Sequence, residues 1–135
     1  MSWCRWSTEC ESGKQSDLYI YDSVHACITV HVAGRRRSNY DQAPAVPSIL
    51  NFTEPGTDLQ DWMKLSKIQR EWLEVHTIWE DLPAEYSGKN YDFGYEDLDG
   101  LTAFLEKARI DGINFPDYVF DILEESRKEH HDRQI

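Results

Sequence analysis

Three consecutive arginines, Arg35, Arg36 and Arg37, close the stretch ITVHVAGRRR at residues 28–37 of a chain that is otherwise strongly acidic. A guanidinium presents a planar fork of donors that matches phosphate or carboxylate. The run, with His31 four residues upstream and Arg5 on a neighbouring strand, is therefore a candidate site for a phosphate-bearing ligand such as a nucleotide. The competing explanation is internal: in an acidic protein such a run pairs with its own carboxylates, for instance those of residues 92–99, and pins the loop that follows.

A second group has the opposite character. In YDFGYEDLDG, residues 91–100, the carboxylates of Asp92, Glu96, Asp97 and Asp99 are interleaved with Tyr91, Phe93 and Tyr95. Aromatic rings supply burial and carboxylates supply steering, so the segment is a candidate docking surface for a basic groove in a partner. Its alternative is a loop that packs its own rings into the core.

The remaining reactive side chains are Cys4, Cys10 and Cys27 with His25 and His31. Thiolate and imidazole suit zinc, but no CxxC or HxxxH spacing is present and no metal is expected. A nucleophilic Cys4 or Cys27 needs a nearby base. Cys27 and His31 share a strand face with Thr29 between them, too far apart for a direct hydrogen bond in a regular strand. No GxGxxG, P-loop or GxSxG pattern occurs, so no catalytic residue and no cofactor is assigned; a small enzyme built on Cys27 or His31 is the least favoured reading.

The elements that must position these groups are legible in the hydropathy pattern. SDLYIYDSV (16–24) sets Leu18 and Ile20 against Tyr19 and Tyr21, and CITVHVAG (27–34) sets Ile28, Val30 and Val32 against Thr29 and His31. Period-two alternation marks two strands. Only His25 and Ala26 separate them, which predicts a tight antiparallel hairpin without the usual turn glycine. A hairpin alone is marginal in water, so the opening WCRW (3–6) is expected to add a third strand.

Residues 34–56 lose all periodicity and collect Gly34, the arginines, Pro44, Pro47, Pro55 and Gly56, which reads as a long crossing loop. A helix is expected from Thr57, a capping residue with Gln60 three places on and Asp58 and Asp61 in the first turn. Leu65, Ile68, Trp72, Val75, Trp79 and Leu82 then recur at alternating spacings of three and four until Pro83. Trp62, Trp72 and Trp79 are expected in the core, and any width of the stripe that the small sheet leaves uncovered makes a homodimer seam.

Residues 84–100 are expected as a loop or irregular ribbon. A second helix carries Leu98, Leu101, Phe104, Leu105 and Ala108 and stops at Gly112, with Ile113 supplying the contact of a Schellman motif. A third starts at Pro116 with Tyr118, Val119, Ile122 and Leu123 inward; its polar tail EESRKEHHDRQI is expected to fray.

Composition bounds the function. At 135 residues, 40% apolar and 13% aromatic, with five Trp and seven Tyr, the chain is expected to fold as one α+β domain. Its strands are expected within residues 1–34, its long loop over residues 35–56 and its helices within residues 57–130. Three cysteines, an odd number with no preceding apolar signal segment, argue for reduced thiols in a cytosol. No apolar run approaches the roughly 18 residues of a membrane span. The net charge of −11 is uneven. Residues 1–37 carry five Lys/Arg and four Asp/Glu, leaving nine and 21 for the rest, a balance of +1 against −12. Such a surface repels nucleic-acid phosphates and is drawn to basic ones.

The segments SWCRWST, SDLYIYDSV, ITVHVAGRRR and LTAFLEKARIDGINFPDYVFDILEE together resemble a group of small, uncharacterised proteins encoded by tailed bacteriophages. The resemblance covers both ends of the chain and not residues 38–95. It implies a β hairpin followed by helices, brings no established activity, and sets the protein in the cytoplasm of an infected bacterium. With it, the expected role is an accessory protein that acts by binding: an acidic inhibitor of a host nucleic-acid-handling or anti-phage defence protein with a basic surface. A nucleotide-binding or nucleotide-sequestering protein that uses Arg5, His31 and Arg35 to Arg37 is the alternative.

Overall fold

The structure, a computed structural model, describes residues 2–23, 27–46 and 59–133, with side chains as far as Glu129. The fold is α+β. Its contacts divide the chain into two compact units, Met1–Arg36 with Glu80–Ile135, and Arg37–Trp79.

The first unit is built on a four-stranded antiparallel sheet. Its strands are β1 (Ser2–Cys4), β2 (Leu18–Asp22), β3 (Ile28–Val32) and β6 (Asn90–Phe93), in the order β1-β2-β3-β6. The hairpin has the expected faces: Leu18 lies opposite Val32, Ile20 opposite Val30, and Tyr19 opposite His31. Leu18, Ile20, Ile28 and Val30 expose no surface, and burial of each contributes about 1.5–3 kcal/mol. The turn expected at His25 and Ala26 lies outside the described residues. The opening strand joins the sheet as expected, with Ser2 opposite Tyr21 and a register shift before Cys4. That bulge lets the consecutive residues Trp3 and Cys4 both be buried.

Helices cover one face of this sheet. In α2 (Leu98–Ile110) the buried residues are Leu98, Leu101, Leu105 and Ala108, and α3 (Tyr118–Arg133) adds Val119 and Leu123. The α2 stop is the expected Schellman turn: Gly112 sits at φ +93°, its N–H bonds to Arg109 O, and the Ile113 N–H reaches Ala108 O at 2.9 Å. α3 runs to Arg133, so most of the tail expected to fray is helical, and Gln134 and Ile135 lie outside the described residues.

Strands also occur outside the first 34 residues. Asn90–Phe93, expected in an irregular ribbon, pairs with β3, with Thr29 opposite Asp92 and Val30 opposite Tyr91. The arginine run is itself a strand, β4 (Arg35–Arg37), which forms a two-stranded sheet with β5 (Trp79–Asp81). The chain leaves the first unit after Arg36 and returns to it at Glu80.

The second unit holds a 3-10 turn at Tyr40–Gln42 and the helix α1 (Leu59–His76). The expected capping residues Thr57 and Asp58 lie outside the described residues, as do Pro47, Pro55 and Gly56. The helix does not continue to Pro83. The Asn39 amide donates to His76 O at 2.8 Å, and its oxygen accepts the Ile78 N–H at 2.9 Å, so a side chain distant in sequence caps the last turn. α1 buries none of its residues. Trp62 and Trp72 are half-buried and Trp79 is exposed, so these tryptophans are not core; Leu82 instead belongs to the core of the first unit. Among the described residues no helix is long and apolar enough to cross a membrane.

Candidate functional site

The arginines do not form one cluster. Successive residues of a strand point to opposite sides, and Arg36 belongs to the first unit while Arg37 belongs to the second. Arg36 Nη2 lies 3.0 Å from Asp17 Oδ2, with side-chain exposures of 14% and 1%, and also donates to Gly112 O. Asp17 Oδ2 accepts the Asn114 N–H at 2.7 Å, and its backbone N–H bonds to Asn114 O. Burial pushes the Asp17 carboxyl above its ordinary value, opposed by the Asn114 N–H and by Arg36. The internal explanation thus holds for Arg36, but the acid is Asp17 and not one of residues 92–99. Arg37 stacks over the Trp79 ring at 4.9 Å, Arg35 is exposed on β4, and Arg5 is exposed in the turn after β1.

His31, the fifth residue of the phosphate candidate, stands on the uncovered face of the four-stranded sheet. Alternation puts Ser2, Tyr19, Tyr21, Thr29, His31, Asn90 and Asp92 on this side. Four rings gather there. Trp6, 49% exposed, meets Tyr19 edge-on at 5.5 Å; Tyr19 meets Tyr21 at 6.0 Å and His31 at 6.4 Å; Tyr21 stacks on His31 at 5.5 Å. With Ser2 they line an open depression of about 520 Å³. His31 Nδ1 hydrogen-bonds Asn90 Oδ1, an amide oxygen that accepts. Thr29 Oγ1 donates to Asp92 Oδ1 at 2.7 Å, and Cys27 Sγ approaches the same oxygen at 3.8 Å.

The acidic aromatic segment is divided between core and surface. Tyr91 and Phe93 turn inward onto Phe104, with ring centroids 4.6 and 5.7 Å apart. Tyr95 donates to Asp22 and, at 3.0 Å, to Ser23 O. Asp97 caps α2 by accepting the Gly100 N–H, and Asp99 pairs with Arg127 at 2.6 Å. Asp92 and Glu96 are the exposed acids of the set for which helix capping or an ion pair gives no account. Strand pairing therefore brings one residue from each sequence-derived group, His31 and Asp92, to a single face, and Asp92 is the one acid that β6 contributes.

Trp6, Tyr19 and Tyr21 complete this surface, although sequence reasoning does not single them out as site residues. The signal lies in the hairpin: two tyrosines on the face opposite Leu18 and Ile20, with a histidine at the matching register of the next strand.

The thiols are dispersed. Cys4 is buried and donates to Leu18 O at 3.3 Å, Cys27 is on the open face, and burial pushes the Cys10 thiol up to about 12. Thiols held protonated by burial, Cys4 and Cys10, are poor nucleophiles and poor ligands. Among the described residues no group of three His, Cys, Asp or Glu is placed to hold a metal ion; His25 lies outside them. No protein-family model, curated protein or solved structure matches the chain.

Proposed function

We propose that the protein acts by binding, with the uncovered face of the four-stranded sheet docked on a basic surface of a partner protein. The observation that carries this reading is the ring cluster of Trp6, Tyr19, Tyr21 and His31 on the same face as Asp92 of the edge strand β6. Rigid aromatic side chains that are half in water already have the body of an interface anchor and lose little entropy on docking. Asp92 at the edge, in a chain of net charge −11, accelerates encounter with a cationic surface and makes it salt-dependent. Taken with the resemblance to small phage proteins, the partner is a host nucleic-acid-handling or anti-phage defence protein whose basic site the chain occupies.

The nucleotide alternative loses ground because Arg36, at the centre of the arginine run, is engaged with Asp17 and Gly112. The test is charge reversal at Asp92 and Glu96, acids that neither cap a helix nor pair with Arg127. Asp92→Lys with Glu96→Lys is expected to abolish capture of a salt-sensitive partner while circular dichroism shows the chain still folded, with a midpoint lowered by loss of the Thr29 hydrogen bond to Asp92. Unchanged capture by the folded variant sinks the proposal. Thermal stabilisation by a nucleotide that disappears in Arg36→Ala revives the alternative.

A further inference from the structure

Six of the nine large apolar side chains that the described chain leaves exposed lie between residues 59 and 79: Leu59, Met63, Ile68, Val75, Ile78 and Trp79. Four of them are on α1, an 18-residue helix that buries none of its residues. Leu59 and Met63 lie on one side of the helix and Ile68 and Val75 on the other; the second pair belongs to an apolar stripe that the unit leaves partly open.

The pattern on α1 is specific. Leu65, Ile68, Trp72 and Val75 are separated by three, four and three residues, the 3.5-residue repeat that keeps one seam facing a second helix. Ile68 and Val75, on alternate layers of that seam, are 50% and 76% exposed, and Leu65 and Trp72 are half-buried. Charge identifies what covers it. α1 carries Asp61, Glu71 and Glu74 against Lys64, Lys67 and Arg70, a net charge of zero inside a chain of −11. A basic partner is drawn to the acidic regions of the molecule and gains nothing from a neutral helix. Two copies of the chain repel each other through most of their surface, but a neutral helix meets its own copy without that penalty.

We infer that α1 pairs with α1 of a second copy of this chain along Leu65, Ile68, Trp72 and Val75, so that the protein is a homodimer. The inference stands independently of the sheet-face reading, since the two surfaces share no residue.

Sedimentation equilibrium of the full chain over micromolar concentrations is expected to give the dimer mass, with dissociation on dilution. Ile68→Glu with Val75→Glu is expected to weaken the dimer at least 100-fold and give a monomer. Ile110→Glu, at a residue 84% exposed on α2, is expected to leave the dimer intact. The dilution series on the wild type needs no variant, so misfolding of the double variant does not rescue the idea. A wild-type monomer across the series overturns the inference, and so does a dimer that the folded double variant retains or that Ile110→Glu dissolves.

Discussion

Arg36→Ala separates a structural arginine from a ligand-binding one. In the wild type the guanidinium is 3.0 Å from a carboxylate whose side chain is 1% exposed, and it is itself 14% exposed. Removing one member of a buried pair costs about 3–5 kcal/mol, because the other charge is left uncompensated. Asp17 retains the Asn114 N–H at 2.7 Å, which sets the expectation near the lower end, about 3 kcal/mol, or a fall of roughly 10 °C in the unfolding midpoint. The loss depends on pH. Burial already holds the Asp17 carboxyl above its ordinary value, and deleting Arg36 raises it further. A carboxyl with a raised native pKa binds its proton more tightly folded than unfolded. Its contribution is fully present below the unfolded value near 4 and is lost as pH rises through the native value. The deficit of Arg36→Ala is therefore expected to be largest at neutral pH and to shrink toward pH 4. Asp17→Asn with Arg36→Leu, which keeps an acceptor for Asn114 and removes both charges, is expected to recover most of the stability. Thermal melts followed by circular dichroism at pH 4, 5.5 and 7 measure all three. An Arg36→Ala midpoint within about 2 °C of the wild type at pH 7, with no pH dependence of the difference, would refute the assignment of Arg36 to Asp17.

Two further effects follow from single residues. Gly112→Ala places a Cβ at φ +93° where no neighbouring atom lies within 4 Å, so its cost is backbone strain alone, about 1 kcal/mol in chemical denaturation, with an unchanged slope. Cys10, held near 12 by burial, is expected to alkylate far more slowly than free cysteine at pH 8 and to gain about tenfold per pH unit up to pH 10, as judged by mass spectrometry of the labelled peptide.

The sheet was legible where one face is buried and the other wet, because only there does alternation enforce a register: Leu18 and Ile20 against Ile28, Val30 and Val32. The α2 stop was equally legible, since Gly112 and Ile113 carry their own geometry. What failed was set by distant partners. Trp79 and Leu82 fit the helical period, yet the Asn39 side chain ends α1 at His76. Residues 90–93 become a strand because β3 offers an edge, and four residues beside Gly94 are too few to announce it. Arg36 finds its acid 19 positions upstream at Asp17, in a stretch read only as the start of a strand. The expected stripe holds on α1 for Leu65, Ile68, Trp72 and Val75 and fails for Trp79 and Leu82; a stripe says that a face is apolar and not what covers it. For the site, side-chain chemistry named His31 and Asp92 for different reasons, one beside the arginine run and one in the acidic aromatic segment. Only the pairing of β2, β3 and β6 puts them on one surface with Tyr19 and Tyr21.

The central claim is that the ring-lined sheet face is the contact surface. Its most direct test is capture from bacterial lysate by the tagged wild type and by Trp6→Ala, each at low and high salt, followed by titration of the recovered protein against both. Trp6 is half exposed and outside the core cluster, so the variant is expected to melt with the wild type. The expected result is one host protein held at low salt, released at high salt, and bound at least tenfold more weakly by Trp6→Ala, in line with a hot-spot truncation of about 1.4 kcal/mol or more. Equal affinity of the two proteins for that partner, or retention unaffected by salt, would contradict the account.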